Sequence, residues 1–178
     1  TYNEAENIAH LLPLLSEISR KHPDIDLTAH IIDDNSPDGT ARKVETLAPL
    51  LQSEHFNIKT IRRFVKNGLG EAYIQGFQEV LVDMELRYVI QMDADLSHNP
   101  EYLDQFFACA RRGIDLAIGS RYISGGAVPD WSFHRKLISR LGNLYARTLL
   151  GNQITDYTGG YNMFSASLLR RLNFSKLN

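Results

Sequence analysis

The chain alternates short apolar runs with longer segments in which apolar residues recur every three or four positions. Ile8, Leu11, Leu12, Leu15 and Ile18 follow Asn3 and Glu4 at helical spacing and stop before His22, Pro23 and Asp24, which predicts an amphipathic helix beginning close to residue 1. Leu27 to Ile32 is a short apolar run closed by Asp33, Asp34, Asn35, Ser36, Pro37, Asp38 and Gly39, a strand running into a loop of turn-forming residues. A helix from about Thr40 to Gln52 follows. The cycle repeats with a strand from Ile58 to Arg62, a loop from Lys66 to Gly70, and a helix from Glu71 to Met84 with Tyr73, Ile74, Phe77, Val80 and Leu81 at helical spacing. A third strand, Arg87 to Met92, ends in Asp93, Ala94 and Asp95. Pro100, suited to a first helical turn, opens a helix to Arg112, and Leu116 to Ile118 is a fourth, short strand.

Strands separated by helices of this length need crossover connections. The pattern therefore predicts an α/β domain around a mostly parallel sheet flanked by helices, with ligands at the carboxyl ends of the strands. Beyond Gly119 the rhythm changes to a loop from Ser124 to Asp130, a helix from about Ser132 to Leu150, a polar loop from Gly151 to Gly160, and a return to helix over Phe164 to Leu172. The helix over 132–150 places Leu137, Ile138, Leu141, Leu144, Tyr145 and Leu149 on one side and also carries Arg135, Lys136, Arg140 and Arg147. That apolar stripe is read first as core and second as a face resting on a membrane.

With 178 residues and no internal repeat or linker, one domain is expected. The chain starts at Thr1 without Met and stops at Asn178, so both ends are expected to be cuts. At 43% apolar and 22% charged residues, the composition excludes disordered, collagen-like and coiled-coil chains. Nineteen Lys and Arg against 21 Asp and Glu give a formal charge of −2, so there is no overall positive field for nucleic acid, and anion binding must be local. Cys109 is the one cysteine and is read as a structural thiol of a reducing compartment. No apolar run reaches 18 residues, and no basic leader precedes an apolar one within these residues.

The candidate chemistry lies at the strand ends. Asp93 and Asp95 flank Ala94, and strand geometry turns residues i and i+2 to one side, so both carboxylates can grip a hard divalent ion such as Mg²⁺ or Mn²⁺. Asp34 closes another strand and is read as a ligand contact beside that pair, whereas Asp38 is read as a helix cap. Gly68, Leu69 and Gly70 match neither the Walker nor the dinucleotide pattern and are read as a helix entry. Arg121, in the Gly-Ser-Arg-Tyr turn after the fourth strand, and Arg135, near the start of the long helix, suit a phosphate dianion; a solvated helix face is nearly as good a reading for Arg135. Asn99 reads as a cap, and neither His98 nor His134 is assigned a catalytic role.

These segments together carry a resemblance. Thr1-Tyr2-Asn3-Glu4, Asp33 to Thr40, Asn67 to Ala72, Asp93 to Pro100, Gly119 to Tyr122 and Asp156 to Tyr161 occur in the order seen in dolichol-phosphate mannosyltransferases, and the chain resembles that polyprenyl-phosphate branch of family 2, GT-A glycosyltransferases. The resemblance implies a GT-A, Rossmann-like sheet whose first strand precedes Thr1. It also implies an inverting transfer of mannose from GDP-mannose, a nucleotide sugar, to a polyprenyl phosphate lipid, with Mg²⁺ or Mn²⁺ bridging the diphosphate. By the same resemblance, Tyr2, Glu4, Ile32 and Asp34 match residues that hold the nucleoside. Asp93, Ala94 and Asp95 match the metal and diphosphate segment, Arg121 a phosphate contact, Arg135 the acceptor-phosphate arginine, and Asp156 an acceptor-side motif.

Ser97 stands where many prokaryotic members carry a metal-ligating glutamine, and Asn162 where an arginine is common. Basic residues over the donor phosphates are expected beyond Asn178. Relatives work at the cytoplasmic face of a membrane and carry a membrane helix, recruit small membrane subunits, or bind the surface alone. A UDP-sugar-dependent hexosyltransferase and a non-catalytic nucleotide-sugar-binding subunit are the alternative expectations. Because a phosphate monoester with a second pKa of about 6 is already ionised at neutral pH, such a transfer needs no general base.

Overall fold

The computed structural model describes residues 1–64, 68–123, 133–172 and 174, without the side chains of 133, 135 and 136. The loop expected over Ser124 to Asp130 and the residues Lys66 and Asn67 lie outside the described residues, as does the side chain of Arg135. The elements are α1 (Ala5–Lys21), β1 (Leu27–Asp33), α2 (Thr40–Leu51), β2 (Phe56–Arg62), α3 (Leu69–Val80), β3 (Tyr88–Gln91), a 3₁₀ turn (Pro100–Tyr102), α4 (Leu103–Arg111), β4 (Leu116–Ile118), α5 (Phe133–Leu150), β5 (Asn162–Ser165) and α6 (Ala166–Arg170).

The apolar faces legible in the sequence form the core. Ile8, Leu11, Leu12, Leu15 and Ile18 of α1 are buried with Val44 of α2, Ile31 of β1, Phe56 and Ile58 of β2, Phe106 and Phe107 of α4, and Met163 of β5. Each large side chain so buried contributes about 1.5–3 kcal/mol. Cys109 packs against this cluster as a partly buried thiol. Capping agrees with the sequence reading: Asp38 accepts from the Thr40 N–H at the start of α2 and from the Ala5 N–H at the start of α1. One carboxylate thus serves two helix N-termini, where negative charge is favoured. Asn99 accepts from Glu101 N–H in the same manner.

β1 and β2 pair in parallel without a break, from Leu27 opposite Phe56 to Asp33 opposite Arg62. β3 and β4 run in one direction on either side of β5, which is antiparallel to both. The α/β architecture is as expected, but the helix read over Phe164 to Leu172 is corrected: residues 162–165 are strand and the helix starts at Ala166. Four residues give periodicity too little length to register. The strand is made by ladders to partners more than forty residues earlier, with Met163 and Ser165 turned into the core.

The antiparallel direction of β5 has a functional consequence. Asn162, its first residue, lies opposite Gln91 and Ile118, the last residues of β3 and β4. The loop 156–161 is thereby delivered to the carboxyl ends of those strands. Gly119 donates its N–H to Tyr161 O there, and an added Cβ would stand 2.9 Å from that carbonyl, so the approach requires glycine.

The first reading of the α5 stripe is also corrected. Ile138, Tyr145 and Leu149 are 72%, 68% and 66% exposed, and Leu137, Leu141 and Leu144 are exposed with them. The helix is anchored by a polar residue instead: buried Asn143 donates to Thr155 O and accepts from Tyr157 N–H. The apolar stripe therefore faces away from the body. No helix among the described residues is long and apolar enough to cross a membrane.

Candidate active site

Every strand that the sequence predicted ends at a polar residue with a defined partner. Following β1, Asp34 is buried and pairs with Arg63 Nη1 at 2.7 Å; Arg63, which follows β2, is itself 5% exposed. The Arg63 guanidinium also meets Gln75 Oε1 at 3.1 Å and Glu71 Oε2 at 3.4 Å, both from α3. Buried Asp33 accepts from the Ser36 hydroxyl and backbone N–H and so closes its own loop. Thr1 bonds the Ile32 carbonyl through its amino group and hydroxyl, and Asp34 N–H donates to Thr1 O. Glu4 caps into α1, its N–H on Thr40 Oγ1 and its carboxylate on Asn7 Nδ2. Tyr2 is 40% exposed at the rim of this group. Tyr2, Glu4, Ile32 and Asp34 thus gather at one place, around the start of α1 and the end of β1.

A second group follows β3. Asp93 Oδ1 accepts from the Tyr73 hydroxyl of α3 at 2.8 Å, and its N–H donates to His98 Nδ1 at 2.9 Å. His98 stacks on Tyr161 with centroids 4.8 Å apart and planes at 11°. Ala94 packs against the core, while Asp95 is exposed and accepts from Ser97 N–H. Leu96 holds φ at 62°, a left-handed conformation that costs a non-glycine residue about 1–3 kcal/mol and that turns the 93–98 segment back on itself. Burial pushes the His98 ring below its ordinary pKa, against the opposing pull of Asp93 and Asp95; the Arg121 charge adds to the lowering. The loop before β5 meets this segment, since a Cβ added to Gly160 would stand 3.3 Å from the His98 ring and 3.7 Å from Asp93 Oδ2.

Arg121, after β4, is clamped by Asp156 from the loop before β5. Asp156 accepts from Arg121 Nε at 2.8 Å, Nη2 at 2.9 Å and backbone N–H at 3.1 Å, and from Thr158 N–H at 3.0 Å, while Arg121 Nη2 also reaches Thr158 Oγ1. Asp156 is 1% exposed. Burial pushes its carboxyl up, but the Arg121 guanidinium and the two backbone donors outweigh this and hold it below the usual carboxylate range. The clamp fixes a planar cation on the loop that also borders Asp93 at Gly160.

Among the described residues no three His, Cys, Asp or Glu side chains converge as a closed metal cage. The chemistry of the Asp93 and Asp95 pair fits a hard divalent ion that completes its shell with water and substrate phosphates. Arg135 lies on α5, and its side chain is outside the described residues.

Three features of this candidate site escape the sequence reading: the Tyr73 hydroxyl on Asp93, Arg63 on Asp34, and the pairing of Asp156 with Arg121. Tyr73 reads as one more apolar position of α3, and nothing in its spacing marks the hydroxyl. Yet α3 links the two groups, with Glu71 and Gln75 on Arg63 and Tyr73 on Asp93. Tyr73→Phe is expected to lower turnover about 10- to 100-fold, the usual effect of losing a partner that orients a ligand residue, with the thermal midpoint nearly unchanged. Steady-state kinetics and calorimetry on the same preparation check both halves, and unchanged kcat would remove Tyr73 from the site.

Residues 1–172 match the family described as Glycosyl transferase family 2. The chain is 38% identical to the "Polyprenol monophosphomannose synthase" of Mycolicibacterium smegmatis, over 100% of this chain and 64% of that protein. It is 39% identical to the "Undecaprenyl-phosphate mannosyltransferase" of Micrococcus luteus, over 99% of this chain and 68% of that protein. The "Dolichol-phosphate mannosyltransferase" of Pyrococcus furiosus is 39% identical over 90% of this chain and 43% of its own length. The chain thus spans about two thirds of the two bacterial curated relatives and less than half of the archaeal one. With a parallel strand pair flanked by helices, polar loops gathered at the strand ends and a family match over nearly its whole length, the chain belongs to glycosyl transferase family 2.

Proposed function

We propose that this domain transfers mannose, with inversion, from GDP-mannose to the phosphate of a polyprenyl lipid at a membrane surface, supported by Mg²⁺ or Mn²⁺. The observation that carries the reading is that the Asp156 clamp on Arg121 and the carboxylate of Asp93 border one loop at the ends of β3 and β4: a Cβ added to Gly159 would stand 3.3 Å from Asp156 Oδ2 and one added to Gly160 3.7 Å from Asp93 Oδ2. The names of three relatives, each a polyprenyl-phosphate mannose enzyme, support the substrate class.

In this reading Tyr2, Glu4, Ile32 and Asp34 hold the nucleoside, with Arg63 orienting Asp34 through a buried 2.7 Å contact. Asp93 and Asp95 hold the divalent ion, which when bound supplies charge neutralisation for the departing diphosphate. Arg121 and Arg135 orient the acceptor phosphate, whose dianion attacks C1 of the sugar without a base. His98 is consistent with that: its Nδ1 is occupied by the Asp93 N–H and its ring by Tyr161.

Membrane contact is assigned to the exposed stripe of α5, a helix with four basic residues and no acidic one. The same reading takes the cytoplasmic leaflet as the surface, since its negative potential attracts such a helix. Incubation of the full-length protein with radiolabelled GDP-mannose and a short polyprenyl phosphate is expected to yield labelled lipid only when Mg²⁺ or Mn²⁺ is added. Labelling from UDP-sugars alone, or nucleotide binding without any lipid product, would overturn the assignment.

A further inference from the structure

A cleft of about 270 Å³ lies between the turn after β4 and α5, lined by Tyr122, Arg140, Asn143, Leu144 and Arg147. Its polar floor is already satisfied. Asn143 uses both ends of its amide on Thr155 O and Tyr157 N–H, and the Tyr122 hydroxyl pairs with Ser139 Oγ at 2.7 Å. Its cations are not. Arg147 makes one contact, Nε to Asn152 Oδ1 at 3.2 Å, and Arg140 has no hydrogen bond or ion pair among the described residues. Among the described residues no carboxylate lines the cleft, and the sequence of α5 contains none. Two guanidiniums facing a cavity with no acid among its described lining residues are a recognition element for phosphate oxygens.

Position along the helix narrows the ligand. Residues 140 and 147 lie two turns apart on one side of α5, and at about 100° per residue that side falls between buried Asn143 and the exposed stripe of Leu137, Leu141, Leu144 and Tyr145. If the stripe enters the apolar edge of a bilayer, its flank sits at the depth of the headgroups, where arginine extends its charge out of the apolar layer. Arg121 is occupied separately by Asp156 and stands 5.5 Å over the Tyr122 ring, so this ring borders both places.

We propose that the cleft binds the phosphate headgroup of an anionic bilayer lipid, gripped by Arg140 and Arg147, and that this contact sets the depth at which α5 docks. The proposal rests on the membrane reading given above. A cleft with its own pair of arginines beside an outward apolar stripe favours a lipid of the surface over the reacting lipid, whose phosphate the Arg121 region takes.

The test is sedimentation of the full-length protein with phosphatidylcholine vesicles, with and without phosphatidylglycerol. The Arg140→Gln/Arg147→Gln variant is expected to lose affinity for the phosphatidylglycerol vesicles by about thirtyfold, at about fivefold per basic residue. Arg140→Gln alone, at a side chain with no described partner, is expected to lose about fivefold without shifting the thermal transition. A Leu141→Ser/Tyr145→Ser variant is expected to lose binding to both vesicle types. Wild-type affinity in the double arginine variant overturns the headgroup site while leaving the membrane reading intact. Failure of the parent protein to bind either vesicle overturns the membrane reading and the site with it. A raised KM for a short water-soluble polyprenyl phosphate, assayed without vesicles, assigns the cleft to the acceptor and likewise overturns the proposal.

Discussion

Asp95→Asn is expected to lower turnover by about a thousandfold or more and to leave the fold standing. The side chain is exposed, packs on nothing, and its one described contact is an oxygen accepting from Ser97 N–H, which an amide oxygen accepts equally well. What the substitution removes is negative charge. A divalent ion at a phosphoryl group is worth several kcal/mol of transition-state stabilisation, and about 4 kcal/mol corresponds to about a thousandfold in rate. A titration of labelled product against Mg²⁺ or Mn²⁺, read beside a calorimetric scan, checks the two halves together. Full activity at ordinary cation concentrations would end the assignment of Asp95; a collapsed thermal transition would show that its role is structural.

Arg121→Ala is expected to be the most destabilising single change at the site, by about 3–5 kcal/mol, because it strands a fully buried carboxylate without its cation. The reverse change, Asp156→Ala, costs less, since the 19% exposed guanidinium can turn toward water. pH separates this from a simple packing loss. In the parent, Asp156 titrates below its unfolded value, so the pair's contribution is complete above about pH 4 and is lost as pH falls through the folded value. In Arg121→Ala the burial that pushes the carboxyl up is left with the backbone donors and the Thr158 hydroxyl against it, and without the guanidinium the folded value is expected to move above the unfolded one. The destabilisation then grows as pH rises and shrinks on acidification. Urea unfolding of both proteins between about pH 3 and 7 checks the sign, and parallel curves would refute the clamp as the source.

The two corrections share a cause. The β5 segment and the α5 stripe were both read from local pattern, and both are decided by what lies across from them. For β5 it is ladder partners on β3 and β4; for α5 it is a polar anchor, Asn143, where an apolar face was expected to dock. By contrast, the Asp38 cap on Thr40, the Asn99 cap on Glu101 and the spacing of the α1 face follow from neighbours within a few residues and agree with the sequence. The site divides likewise. Asp34, Asp93, Asp95 and Arg121 announce themselves as charges at the ends of apolar runs. Arg63 and Tyr73 do not, because a buried arginine and a helical tyrosine look ordinary until their partners are known.

The order of strands and helices, the apolar faces that become the core, and the polar residues waiting at the strand ends are properties of the sequence, because each depends on spacing within a single element. Which carboxylate holds which cation is not. Asp156 stands thirty-five positions from Arg121, and Arg63 twenty-nine from Asp34. Only the antiparallel return of β5 and the parallel register of β1 with β2 bring these pairs to hydrogen-bond distance, since electrostatic partnership is set by separation in space, to which separation along the chain is indifferent.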